Sequence, residues 1–287
     1  MKLATVLLDG LQRVGCISSD ETRIELLTEE WSDLVDIIAA GINPAEATMS
    51  GQSLPLSSVR LLAPIPRPRR NIMCVGKNYL EHAKEFARSG YEAGAVAGKD
   101  VDEYPALFSK LPSSVIGLGE KIQLHPTVTQ KVDYEAELAV IIGSGGRGIT
   151  RDQAWDNIWG YTIINDVTAR DLQKNHKQWF LGKSLDTFAP MGPWVVTSDE
   201  VDAADLDVTC FVNGELRQQA NTRDLIFDIP TLISTLSAAI TLEPGDIIAT
   251  GTPVGVGIGL SPPTFLRSGD TVDITISGIG TLTNVCA

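Results

Sequence analysis

Residues 133–142 read Asp-Tyr-Glu-Ala-Glu-Leu-Ala-Val-Ile-Ile, and most of the remaining chain can be read outward from them. The second half, 138–142, is apolar enough to be a buried strand. On a strand, residues two apart point to one face, about 7 Å apart along the chain. Glu135 and Glu137 therefore project together beside a segment that belongs in a core. Two buried like charges repel and are costly unless a cation neutralises them. A third carboxylate, Asp166, directly follows another strand-like run, YTIIN (161–165). Three oxygen-only ligands suit a hard cation such as Mg²⁺, Mn²⁺ or Ca²⁺. The same pair of acids also suits an edge strand facing solvent, and the pattern by itself leaves both readings open.

Moving outward, short strand-like runs recur at 71–75, 193–197, 207–212, 246–250 and 271–276, separated by Gly and Pro. Two helical stretches interrupt them, at 78–88 and at 230–240, the second with Pro230 in a plausible first turn. Strands do not alternate one-for-one with helices, which disfavours a doubly wound sheet. The expected fold class is mixed α/β and β-rich, a sandwich or barrel with a few helices. The stretch LLAPIPRPRR (61–70) packs three prolines and three arginines into ten residues and reads as an extended connector. Before it lies a small α+β unit. A hairpin joins 3–8 to 13–18 through Asp9-Gly10. A helix over 29–40 stops at Gly41. The chain divides on this reading into an N-terminal unit with connector, 1–69, and a main domain, 70–287. The N-terminal unit holds no chemically suggestive cluster and reads as a structural or dimer-supporting appendage.

The 287 residues include 23 basic and 36 acidic side chains, for a formal net charge of −13. Nucleic acids and membrane surfaces are polyanionic and need basic patches, so both are excluded as partners. No apolar run approaches the roughly 20 residues of a membrane span. The start, MKLATVLLDG, is too short in apolar residues for a signal-peptide core. Cys16, Cys74, Cys210 and Cys286 are scattered, without metal-like spacing. A reduced, cytoplasmic, soluble protein is expected.

Other residues could carry chemistry. His82 and Glu85, three apart on the 78–88 helix, share a face, so the carboxylate can orient the imidazole as a base; an isolated surface pair would look the same. His125 and His176 have no such partner nearby. Lys110, Arg170 and Lys183 are cations near turns that suit an anionic substrate or a developing enolate. TGTPVGVGIG (250–259) offers the hydroxyls of Thr250 and Thr252 and glycines for close backbone approach. It lacks the GK[ST] ending of a phosphate loop. GSGGRG (143–148) reads as a turn, and no G-x-S-x-G serine elbow is present. The Gly-rich stretch 86–104 reads as a mobile loop beside the dyad.

Taken in order, VGKNYLEHAKE (75–85), PALFSK (105–110), DYEAELAVIIG (133–143), GYTIINDVTARDLQ (160–173), KQWFLGKSLDTFAPMGP (177–193), VNGELRQ (212–218) and IIATGTPVGVG (247–257) resemble the fumarylacetoacetate hydrolase family. The resemblance covers about residue 71 to the end. It implies a β-sandwich roll, commonly homodimeric, with an accessory N-terminal domain of the longer bacterial type. It implies one divalent cation per subunit, Mg²⁺ or Mn²⁺ with Ca²⁺ possible, on Glu135, Glu137 and Asp166. It also implies a His82–Glu85 dyad on a segment that closes over the ligand. Lys183, Arg170 and Lys110 fall on active-site cations of the family, and Thr252, with Thr250 beside it, on its substrate-binding threonine. The implied substrate is a small anionic 2-oxo acid. The expected reaction is hydrolysis of the C–C bond of a 2,4-dioxo acid of the acylpyruvate type, giving a carboxylate and pyruvate. Two alternatives share the same enolate chemistry: decarboxylation of oxaloacetate and isomerisation of a hydroxydiene dioate.

Overall fold

The strand Ala136–Ile142 is buried along its whole length. In the computed structural model, which describes residues 1–91 and 102–287, it lies between two antiparallel neighbours, Ile158–Asn165 and Ile247–Ala249. Its side chains alternate between two cores. Leu138, Val140 and Ile142 join one hydrophobic cluster, while Ala139 and Ile141 join another on the opposite face. A strand covered on both faces has no polar side to show, which is why 138–142 is an unbroken apolar run.

The large sheet continues in both directions. On one side it runs through Ile158–Asn165, Ala189–Thr197, Lys2–Leu8, Leu11–Ile17, Arg23–Leu27 and Met49–Pro55. On the other it passes Ile247–Ala249, then Ile72–Gly76 in parallel, then Ala106–Lys110. A five-stranded sheet of Glu215–Asn221, Asp207–Val212, Thr271–Ile276, Gly280–Cys286 and Lys121–Ile122 supplies the second layer. Val208, Cys210, Ile274 and Leu282 from its inner face enter the cluster that contains Leu138 and Val140. The architecture is thus the β-rich, mixed α/β arrangement expected.

The N-terminal hairpin pairs Leu8 with Leu11 around Asp9-Gly10. The sheet crosses residue 69 without a break, because Lys2 and Leu3 pair with Val196 and Val195. The helix Leu34–Ala39 lays Leu34, Val35, Ile37 and Ile38 into the cluster that holds Ile141, Val195 and Ile247. It begins later than the spacing over 29–40 predicts, because Asp33 caps it by accepting the Val35 N–H. The helix Ile229–Ser237 starts from an Asp228 cap with Pro230 in its first turn. The helix Leu80–Arg88 buries His82, Ala83 and Phe86. Of the 86–104 segment expected to be a mobile loop, 92–101 lies outside the described residues.

Candidate active site

The register between two core strands creates the acidic cluster. Glu137 stands opposite Ile164 and Ala136 opposite Asn165, so Asp166 emerges beside the start of the strand that carries Glu137. Glu135 sits just before that strand. Its N–H donates to Asn165 Oδ1 (3.0 Å), and its carbonyl accepts the Asp166 N–H (2.8 Å). Oxygens of Glu135, Glu137 and Asp166 all lie within 4.8 Å of one another, and all three residues are buried.

Three buried cations surround the acids. Lys183, on the short helix Phe180–Lys183, bridges Glu135 (2.8 Å) and Asp166 (2.6 Å). Lys110 reaches Asp166 (2.6 Å) from behind and also donates to the Val167 carbonyl (3.0 Å). Arg170 opens the helix Arg170–Asn175 and pairs with Glu135 (2.6 Å) and Asp133 (2.8 Å). Burial opposes the Glu135 charge, but Lys183 and Arg170 outweigh it and hold its carboxyl at about 2. Burial likewise opposes the Lys183 charge, yet Asp166 and Glu135 keep the ammonium above its ordinary range. Lys110 is lowered, chiefly by burial.

Glu137 stands apart. Its described partner is the Gly251 N–H (2.8 Å), and no ion pair reaches it among the described residues. Burial, then Asp166 and Glu135, push its carboxyl well above the usual range. A buried carboxylate without a paired cation, beside two further carboxylates, forms an oxygen-only donor set that fits a hard divalent ion.

His82 Nδ1 lies 3.0 Å from Glu85 Oε2, and Glu85 Oε1 accepts the Gly255 N–H at 3.0 Å. With Nδ1 engaged, Nε2 is the ring nitrogen left for a ligand. His82, Glu135, Arg170, Lys183 and Thr252 line one small cavity. Glu137, Asp166 and Lys110 lie outside its lining. Thr252 Oγ1 accepts from Gln218 Nε2 (2.8 Å). Thr250 is used differently: its hydroxyl donates to the Leu138 carbonyl (3.0 Å).

Sequence reasoning missed the aromatic side of this cavity. Trp179 meets Phe86 and Phe108 edge-on at 5.8 and 5.3 Å between ring centroids. Lys183 Nζ lies 4.9 Å from the Phe108 ring centroid. Trp179 and Lys183 are four apart, but the helix that joins them is too short for that spacing to stand out as a period. Gln173, which accepts from Arg170 Nη1 (3.2 Å), was also missed.

Glu135, an oriented His82, Arg170 and Lys183 thus meet at one cavity, backed by Glu137, Asp166 and Lys110. Residues 71–287 match the family described as fumarylacetoacetate (FAA) hydrolase C-terminal, and the chain belongs to that family. It is 55% identical over 230 residues to "Oxaloacetate tautomerase YisK" of Bacillus subtilis, covering 80% of this chain and 73% of the relative. A fumarylacetoacetate hydrolase from psychrophilic Exiguobacterium antarcticum is 44% identical, with a TM-score of 0.85 over 100% of this chain and 99% of that one. The structure of 5-carboxymethyl-2-hydroxymuconate delta-isomerase from Mycobacterium smegmatis is 36% identical, with a TM-score of 0.80 over 100% and 99%.

Proposed function

We propose that the protein is a tautomerase of 2-oxo dicarboxylates that interconverts the enol and keto forms of oxaloacetate with a divalent cation of the Mg²⁺ or Mn²⁺ kind. The observation that carries this reading is the meeting of His82, Lys183 and Glu135 at one cavity. A proton carrier and a fixed positive charge there face the same small ligand. Names of relatives support this direction over C–C hydrolysis, the expectation drawn from the sequence: one is an oxaloacetate tautomerase, another an isomerase of a hydroxymuconate.

Glu135, Glu137 and Asp166 would hold the cation, which supplies Lewis-acid polarisation of a carbonyl oxygen. This chain's own groups do the rest. Enol-to-keto conversion removes the proton from O2 and places one on C3, with no net change. His82, its Nδ1 fixed by Glu85, takes the O2 proton on Nε2 and returns a proton from Nε2 to C3, so the ring ends as it began. Lys183, held charged by Asp166 and Glu135, stabilises the negative charge developing at O2. Arg170 ties Glu135 in place and leaves it ionised.

The Exiguobacterium relative named as a hydrolase favours a second reading, cleavage of 2,4-dioxo acids by a water that His82 activates. The two are separated by following enol absorbance of oxaloacetate, and of a panel of 2,4-dioxo acids, with Mn²⁺ and with EDTA. The tautomerase reading expects rapid, cation-dependent loss of the oxaloacetate enol without pyruvate. It expects His82→Ala to lower that rate by about 10²–10⁴-fold, the usual contribution of a general acid–base group. Pyruvate from the dioxo acids, with oxaloacetate enol unaffected, would replace it with the hydrolase.

A further inference from the structure

Glu85 is gripped from two sides, and the second grip has a structure of its own. The N–H of Gly255 that Glu85 accepts belongs to the loop 253–259. That loop is fixed two residues further on by Asp133, a wholly buried carboxylate. Asp133 Oδ1 accepts the Gly257 N–H (2.7 Å) and Oδ2 the Ile258 N–H (3.1 Å). Oδ2 also takes Arg170 Nε (2.8 Å), and the same guanidinium holds Glu135 (2.6 Å). A continuous bonded path therefore runs from Glu135 through Arg170, Asp133 and the loop to Glu85 and His82. Val256 and Ile258 pack on Phe86 of the dyad helix along the way. Two residues of the loop must lack side chains for this to fit. A Cβ on Gly257 would overlap Asp133 Oδ1 and the Thr264 carbonyl, and one on Gly259 would overlap the Glu85 carboxylate.

We propose that Asp133 and Gly259 are positioning residues for the proton-transferring dyad, setting the loop 253–259 as the seat that orients Glu85 and, through it, His82. This deepens the tautomerase reading and rests on it, since it assumes that His82 moves the proton. Neither residue lines the cavity, so neither is assigned contact with substrate.

Gly259→Ala tests the seat from its exposed end. The position has no left-handed backbone to lose, and the three atoms nearest the new methyl all belong to the Glu85 side chain, from its carboxylate to Cγ, and none to backbone, so the fold is expected to be retained. Asp133→Asn tests the buried end by setting an amide donor among donors. Each is expected to lower kcat for enol oxaloacetate by about 10–100-fold, the range for groups that orient a catalytic residue, with KM little changed. For Gly259→Ala, Mn²⁺ affinity titrated with the cation alone should equal the wild type. In a Glu85→Ala background Gly259→Ala should not reduce kcat further, because it acts through that one carboxylate, whereas Asp133 also holds Arg170. Backbone amides of 80–88 should exchange faster in both variants, while those of 136–142 stay protected.

Wild-type kcat in both variants alongside a crippled Glu85→Ala would overturn the proposal. So would losses that multiply when Gly259→Ala is combined with Glu85→Ala. A fully active Glu85→Ala would instead sink the dyad reading. The seat would then stand or fall on the exchange of 80–88 in Gly259→Ala, where unchanged protection refutes it. Should Asp133→Asn not fold, Gly259→Ala decides.

Discussion

Glu137 is the buried carboxyl of this site that has no ion pair among the described residues, and its ionisation sets a sign for the pH dependence. Its pKa is raised by burial and by Asp166 and Glu135. The folded chain therefore keeps the Glu137 proton where the unfolded chain has lost it. That contribution to stability is complete below the ordinary carboxylate range and is lost as pH rises. Glu135 behaves oppositely: held at about 2, it stabilises above the ordinary range and loses this as pH falls. A cation on these carboxylates requires Glu137 ionised, so its stabilising effect should grow with pH. Melting temperatures with EDTA and with Mn²⁺, compared from about pH 5 to 8 where native stability usually peaks, should diverge as pH rises. Glu137→Gln should raise the EDTA-treated Tm at neutral pH by a few degrees, as expected for about 1–3 kcal/mol, and remove the Mn²⁺ shift. A constant gap, or a lower Tm in that variant, would contradict the assignment. The acidic pair was legible in the sequence because strand periodicity puts Glu135 and Glu137 on one side. Asp133 was not, since its role depends on loop amides more than 120 residues away.

Elements were legible in proportion to their burial. The runs at 138–142, 161–165, 207–212 and 271–276 fall on strands because packed faces demand β-branched and apolar residues. Met49–Pro55 and Glu215–Asn221 went unseen: they end their sheets, their residues are mostly exposed or half-buried, and their sequences carry no apolar signature. The helices Arg170–Asn175 and Phe180–Lys183 are too short, at six and four residues, to show a period, so their cations looked like turn residues. The pairing of Lys2–Leu8 with Ala189–Thr197 makes a prediction at this scale. A chain of residues 70–287 alone would expose that strand edge and uncover Ile141, Val195 and Ile247. Free edges and bared apolar surface drive association. The truncated protein should therefore aggregate or melt well below the full chain in thermal denaturation with light scattering. A monodisperse product with unchanged Tm would show that the N-terminal strands are dispensable for stability.

Across the whole molecule, a net charge of −13 coexists with a centre built from buried Lys110, Arg170 and Lys183. Those cations are each paired with buried carboxylates, Asp133, Glu135 or Asp166. No helix among the described residues is long and apolar enough to cross a membrane. In the proposed reaction His82 moves a proton at C3 of oxaloacetate. Its most direct test is the reaction in D₂O with malate dehydrogenase and NADH trapping the keto product as malate. The account predicts one deuterium at one of the two C3 positions, above spontaneous exchange, dependent on the divalent cation and lost in His82→Ala. Incorporation no faster than without enzyme, or equal incorporation at both positions, would contradict it.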